Sequence, residues 1–328
     1  MSIALALVFI LIGFFLLMWS ADLLVDNASE LAGRLGISPL LVGIIIVGFG
    51  TSAPELFVSA MAALDNKGNL ALGNALGSNI TNIGLVLGSA AIIRALPVGK
   101  ATAKIDMPIV IATGLVAIAL LFDGVLSHID GVILLAILLG YLLWTARSSS
   151  GNEALSASEL VASVHEHDVL AVTHPKGKSV MTASIYAIIS IALLILASRI
   201  LVKGAVTVAE FFHVGELIIG LTIVAIGTSL PELAAAIAAA RKGVHDMIIG
   251  NIIGSNVFNT LGVLGLTGAL RATEIDTGAL WRDFPIMLLF TGLMLVFALT
   301  KYTISRLEGS VLVAAYIAYL GYLISVTV

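Results

Sequence analysis

The chain contains no cysteine, which excludes disulfides, thiolate metal sites and cysteine nucleophiles. Charge is scarce as well: 11% of residues are Asp, Glu, Lys or Arg, and the net charge of −4 is spread thinly. There is no basic stripe to grip a nucleic acid. The H-E-x-x-H metal pattern and the D-x-D-x-D-G calcium loop are both missing. The six histidines fall in or near connections, and no serine pairs with a histidine or lysine base inside an apolar run. An enzyme is therefore not expected, and neither is a bound cofactor.

What fills the chain is apolar sequence, 59% of 328 residues, with a mean hydropathy of +1.13. Runs of about 18 or more apolar residues read as membrane helices. Ten are predicted, at 3–25, 38–64, 70–93, 105–122, 129–146, 180–202, 215–240, 247–269, 281–300 and 309–327. The expected class is an all-α integral membrane protein with the lipid bilayer as its main partner. The first segment, Ile3 to Trp19, has no positive leader and is followed by further spans, so it reads as a retained helix. A polar connector, 147–178, carries SSSGNEALSASE and HEHD and divides five spans from five. The domains are thus 1–146 and 179–328 on either side of it.

The halves are copies. Thr51-Ser52 and Pro54-Glu55 match Thr228-Ser229 and Pro231-Glu232. Gly73-Asn74, Gly77-Ser78-Asn79 and Asn82 match Gly250-Asn251, Gly254-Ser255-Asn256 and Asn259. Every pair is 177 residues apart without a gap, so the motif blocks 43–88 and 220–265 are one duplicated unit. Five spans are an odd number, so the second copy lies upside down. Inverted repeats with interrupted helices mark secondary transporters, with the site at the midplane. With the N-terminus outside, eleven Lys and Arg fall on inner connections against five on outer ones. That bias places both termini outside and the connector in the cytoplasm.

The interruptions carry the chemistry. Proline removes an N–H and frees the carbonyl four residues back, at Gly50 for Pro54 and at Gly227 for Pro231. Each GTSxPE motif thus offers carbonyls, two hydroxyls and one carboxylate, all hard oxygen donors suited to calcium or sodium. Charge at the bilayer centre costs at least about 2.5–3.5 kcal/mol. No Lys or Arg stands at matching depth to neutralise Glu55 or Glu232. Two facing carboxylates repel unless a cation or proton intervenes. A single Pro-Glu kink could be structural; two gapless copies argue for function. Ser78 and Asn82 share one helix face, and Asn74 lies on the same stripe. Asn79 points elsewhere. Ser59, whose twin is Ala236, is left out of the site. Asp22, Asp26, Asp106 and Asp283 read as interfacial acids, Arg199 and Lys203 as snorkelling cations, and HEHD as a solvated loop.

GTSAPE with GNALGSNITN, repeated as GTSLPE with GNIIGSNVFN, resembles the paired repeats of the cation/calcium exchanger superfamily, closest to its prokaryotic Na+/Ca2+ antiporter branch. The resemblance spans the whole ten-helix plan, with helices 2 and 7 interrupted. It implies Glu55 and Glu232 as central calcium ligands, joined by Thr51, Ser52, Thr228 and Ser229. It further implies Ser78, Asn82, Ser255 and Asn259 around them, with carbonyls near Gly48 and Ala225 extending the cluster toward either face. The implied transport is three Na+ inward for one Ca2+ outward, by alternating access, with the first and sixth spans sliding against the core. Where the potassium-dependent branch has aspartate this chain has Asn259, which argues against potassium coupling. Exchange of Ca2+ or another divalent ion such as Mn2+ against protons is the nearest alternative, and a passive channel ranks below it. A prokaryotic cytoplasmic membrane is the expected home, and a monomer is the simplest assembly.

Overall fold

A computed structural model describes residues 2–151, 178–212, 225–276 and 278–327. Most of the connector with its HEHD run, and residues 215–224 of the seventh expected span, lie outside the described residues. Among the described residues, eight helices are long and apolar enough to cross a membrane, and a ninth crossing is a bent pair.

The order is α1 (Ile3–Leu35), α2 (Pro39–Thr51) and α3 (Ala53–Leu64), α4 (Gly68–Ile93), α5 (Thr102–Leu120) and α6 (His128–Gly151). The second half has α7 (Val180–Phe211), α8 (Ala225–Thr228), α9 (Leu230–Lys242), α10 (His245–Leu270), α11 (Leu280–Lys301) and α12 (Arg306–Thr327). α4 and α10 begin and end 177 residues apart, as do the starts of α1 and α7. Phe14, Phe15 and Leu11 of α1 lie 59–70% exposed. Such a surface suits acyl chains rather than water.

The first span is longer than the hydropathy predicts. α1 runs past residue 25 to Leu35, where Gly36 takes a left-handed φ of 64° and ends it. α7 likewise continues past 202 to Phe211. Polar residues in the last three turns mask these extensions from a hydropathy window. At 1.5 Å per residue each helix is about 50 Å long, more than the hydrocarbon core is thick, so each tilts or carries its polar end beyond the core. They run antiparallel and tightly packed. A Cβ on Gly13 would lie 2.7 Å from the Leu201 nitrogen, and one on Gly204 would lie 2.6 Å from the Ala6 carbonyl. Lys178 Nζ donates to Asn27 Oδ1 at 2.9 Å across the same pair.

The remaining helices interlock across the halves. α4 meets α12, where Thr81 and Tyr316 share a hydrogen bond of 3.1 Å. Its counterpart α10 meets α6, where Gly131 and Gly268 allow close backbone approach. α2 lies against α10: a Cβ on Gly43 would stand 2.6 Å from the Met247 carbonyl. Two small antiparallel ribbons cross-link the halves. β1 (Leu96–Pro97) pairs with β4 (Thr303–Ile304). β2 (Val125–Leu126) pairs with β3 (Thr273–Glu274).

Candidate functional site

α2 and α3 meet at Ser52 with a bend of 42°. Ser52 has φ −84° and ψ 1°, neither helical nor extended. Pro54 sits in the first turn of α3 and starts the second segment. The helix barely opens here: the Ser52 N–H still reaches the Gly48 carbonyl at 3.1 Å, and the Leu56 N–H reaches the Ser52 carbonyl at 3.1 Å. The interruption is a one-residue kink. α8 and α9 repeat the device at Ser229, with φ −90°, ψ 7° and Pro231 in the first turn of α9.

The kink gives each carboxylate a helix N-terminus. Glu55 and Glu232 both lie in the first turn of their second segments. There the helix dipole favours negative charge. Both are fully buried, at 1% and 0% exposure, and Glu232 is tied by a hydrogen bond to Ser52, three residues before Glu55. None of the four ion pairs among the described residues reaches either one.

The other candidate side chains lie in the protein interior. Thr51, Ser52, Ser78, Asn82, Ser229, Ser255 and Asn259 are all buried, and Thr228 is half-buried. Ser52 Oγ donates to Glu232 Oε1 at 3.2 Å, crossing between the halves. Thr51 Oγ1 donates to the Val47 carbonyl at 2.9 Å. Ser255 Oγ donates to the Gly48 carbonyl at 3.3 Å, so that carbonyl is tied to the opposite half. Ala225 opens the short helix α8. The Gly227 carbonyl, expected to be freed by Pro231, instead accepts from Ser198 Oγ of α7 at 2.6 Å. The proline did release it, and a neighbouring hydroxyl took it up.

What is left unpaired matters most. Both carboxylate oxygens of Glu55, Oε2 of Glu232, Ser229 Oγ and the side-chain amides of Asn82 and Asn259 are buried without a partner. Buried polar groups are nearly always paired, and a buried carboxylate without one costs several kcal/mol. Orphaned carboxylate oxygens at the two kinks are what a site for a dehydrated cation requires. Among the described residues no three His, Cys, Asp or Glu cluster together, so any such site must draw on hydroxyl, amide and carbonyl groups.

Comparison with known proteins then decides the family. The sodium/calcium exchanger protein family matches residues 5–147 and 182–325, nearly the whole chain. The chain belongs to the sodium/calcium exchanger family. It is 39% identical to the inner membrane protein YrbG of Escherichia coli K12, with 97% of each chain covered. It is 27% identical to the sodium/calcium exchanger MaX1 of Methanosarcina acetivorans, covering 95% of this chain and 96% of that one. Among solved structures it resembles the sodium-calcium exchanger NCX_Mj, with a TM-score of 0.82 and 29% identity over 98% of this chain and 99% of that one. The chain is therefore a multi-pass membrane transporter with the NCX_Mj fold.

Two features of the exchanger escaped the sequence reading. Ser59 was set aside for want of a polar twin, yet it is 1% exposed and accepts from Asn74 Nδ2 at 3.0 Å. Asn74 thus braces α3 just below Glu55. Asn251, its twin, instead receives Thr51 and Ser255 hydroxyls on Oδ1, each at 3.4 Å. The two copies of one asparagine do different work, and a rule of strict symmetry discards Ser59. The second feature is local winding. Asn82 opens a π-helical turn, Asn82–Leu87, and Asn259 lies in another, Phe258–Val263. Gly48 closes a third, Gly43–Gly48. Such turns are rare and gather at functional sites. Asn79, which was not placed in the site, bonds Thr260 Oγ1 at 2.8 Å and so links α4 to α10.

Proposed function

We propose that this exchanger moves Na+ inward and Ca2+ outward by alternating access, with three Na+ exchanged for each Ca2+. The observation that carries the reading is the orphaned donor set: two fully buried glutamates from opposite halves, three of whose four oxygens lack a partner, beside two unpaired asparagine amides. One divalent ion balances two carboxylates, and oxygen ligands suit calcium. Three Na+ in the same cluster leave it one unit positive, so the cycle moves net charge.

In this reading Glu55 and Glu232 hold the ion directly. Thr51, Ser52, Thr228 and Ser229 supply hydroxyl or backbone oxygens at the two kinks. Ser78, Asn82, Ser255 and Asn259 complete the surround, and carbonyls at Gly48 and Ala225 extend it toward each face. Ca2+ and Na+ compete for the same two acids and exclude each other. Ten helices form two inverted five-helix repeats, with both termini outside a prokaryotic inner membrane. The antiparallel run of α1 against α7 and the reciprocal ribbons β1–β4 and β2–β3 support the inversion. The amide of Asn259 supports independence from potassium.

The test is 45Ca2+ flux in proteoliposomes loaded with Na+, with choline replacing Na+ in the control. Uptake should follow the outward Na+ gradient, survive a protonophore and ignore K+. Uptake that follows a proton gradient instead, or that runs without counter-ion, would replace this reading with proton exchange or a channel.

A further inference from the structure

The duplication extends to charges outside the site, and there the two copies carry opposite signs. Lys242, at the end of α9, forms ion pairs with Asp26 at 2.7 Å and Asp22 at 3.6 Å, both on α1. It also donates to the Asp22 carbonyl at 2.8 Å. Displaced by 177 residues, Asp22 and Asp26 become Arg199 and Lys203 on α7, and Lys242 becomes Asp65 at the end of α3. An acid–acid–base triplet in one half is thus a base–base–acid triplet in the other. Arg199, Lys203 and Asp65 are exposed, and among the described residues none of the three has an ion-pair partner.

The space beside each triplet differs in the same sense. Arg199 and Lys203 line a cavity of about 260 Å3 between α7 and the kinks, together with Val58, Val202, Pro54 and Pro231. Val58 and Val202 have as twins Ala235 and Val25, 177 residues away. Those two line a void between α1, α2, α9 and α10 that has no room for water. The cleft whose ion pairs are made is shut. The cleft whose ion pairs are unmade stands open.

We propose that these triplets are a pair of alternating latches: Lys242 with Asp22 and Asp26 shuts one access cleft, and Asp65 with Arg199 and Lys203 shuts the other when the first opens. The inference rests on the alternating-access reading above. Each latch joins a long helix, α1 or α7, to the end of a kinked helix, so it fastens the sliding pair to the site-bearing core. Lys242, Asp22 and Asp26 side chains are 28%, 43% and 66% exposed. Pairs this exposed bias an equilibrium by a factor of about two to five, which suits a gate that must open every cycle.

The absence of native cysteine makes a direct test possible. Single cysteines at Val58→Cys, in the open cleft, and Ala235→Cys, in the shut one, are labelled with a polar maleimide in detergent. Lys242→Ala should raise labelling at Ala235→Cys about two- to fivefold and lower it at Val58→Cys. Asp65→Ala should do the reverse, and the swap of Asp26→Lys with Lys242→Asp should restore the parent rates. Rates unchanged by Lys242→Ala, or raised at both cysteines together, would overturn the latch. In the parent, Na+ and Ca2+ should move the two rates in opposite directions. If they do so while the latch variants are silent, the latch alone fails. If no condition or variant moves the rates in opposition, alternating access fails and the latch with it.

Discussion

Two carboxylates without a counter-charge set the properties of this site at the residue scale. Glu55 and Glu232 lie at helix N-termini, which soften but do not remove the cost of their burial. Replacing either with glutamine keeps the volume and removes the charge. Glu55→Gln and Glu232→Gln should each reduce 45Ca2+ exchange at least about 100-fold, as expected for a lost charged ligand worth about 3 kcal/mol or more. The same variants should melt no lower than the parent without added ions, because a buried orphan charge is gone. Retained exchange in either would remove it from the ion path. Ser59 plays a smaller part. Ser59→Ala leaves Asn74 without its 3.0 Å acceptor, a change worth about 1 kcal/mol, so apparent Ca2+ affinity should fall about fivefold with maximal flux kept. Ala236→Ser, at the twin position, would offer an acceptor to the unpaired Asn251 Nδ2, so apparent Ca2+ affinity should not fall and maximal flux should be kept.

At the scale of elements, the bend is built from the Pro-Glu placement and the fit from glycine. Gly43 and Gly250 let α2 and α10 touch backbone to backbone; a Cβ on Gly250 would meet the Leu40 carbonyl. Gly250→Val should therefore lower stability by about 1–3 kcal/mol, read as a fall in melting temperature in detergent. Gly140→Ala, with nothing within 4 Å of a new Cβ, should stay within about 0.5 kcal/mol of the parent. Much of this layer was legible beforehand. The kinks were marked by proline and glycine inside apolar runs, and the duplication by polar residues at one fixed displacement. Both signals stand out because polar residues are rare in lipid-facing sequence. The π turns were not legible, since Asn82–Leu87 and Phe258–Val263 have no composition that separates them from α-helix. The overrun of α1 was hidden for a different reason: its last turns mix Asp, Asn, Glu and Arg with apolar residues, and a hydropathy window stops where the mixture begins; in α7 Lys203 and Glu210 bracket the extension. Ser59 was lost to an assumption of symmetry rather than to lack of signal. The pairing of Lys242 with Asp22 and Asp26 depended on which helix lies beside which, and neither hydropathy nor spacing carries that information.

For the whole molecule, charge balance is the measurable consequence. The proposed exchange of three Na+ for one Ca2+ would move one positive charge with the sodium. The membrane potential then contributes about 2.3 kcal/mol per 100 mV, equivalent to about a 50-fold change in the Ca2+ ratio at equilibrium. In proteoliposomes clamped with K+ and valinomycin, the Ca2+ distribution at which net flux vanishes should shift by about that factor for each 100 mV. A null point that ignores voltage would require two Na+ per Ca2+.

The two short ribbons bear on how such a machine can move. Each stitches a loop of one half to a loop of the other, β1 to β4 and β2 to β3, and neither includes any part of α1 or α7. A body sewn at both ends cannot hinge open like a clam, because parting either rim would tear its stitches. In the alternating-access reading, the helices whose loops these ribbons tie then move as one body, and the change of access falls to α1 and α7.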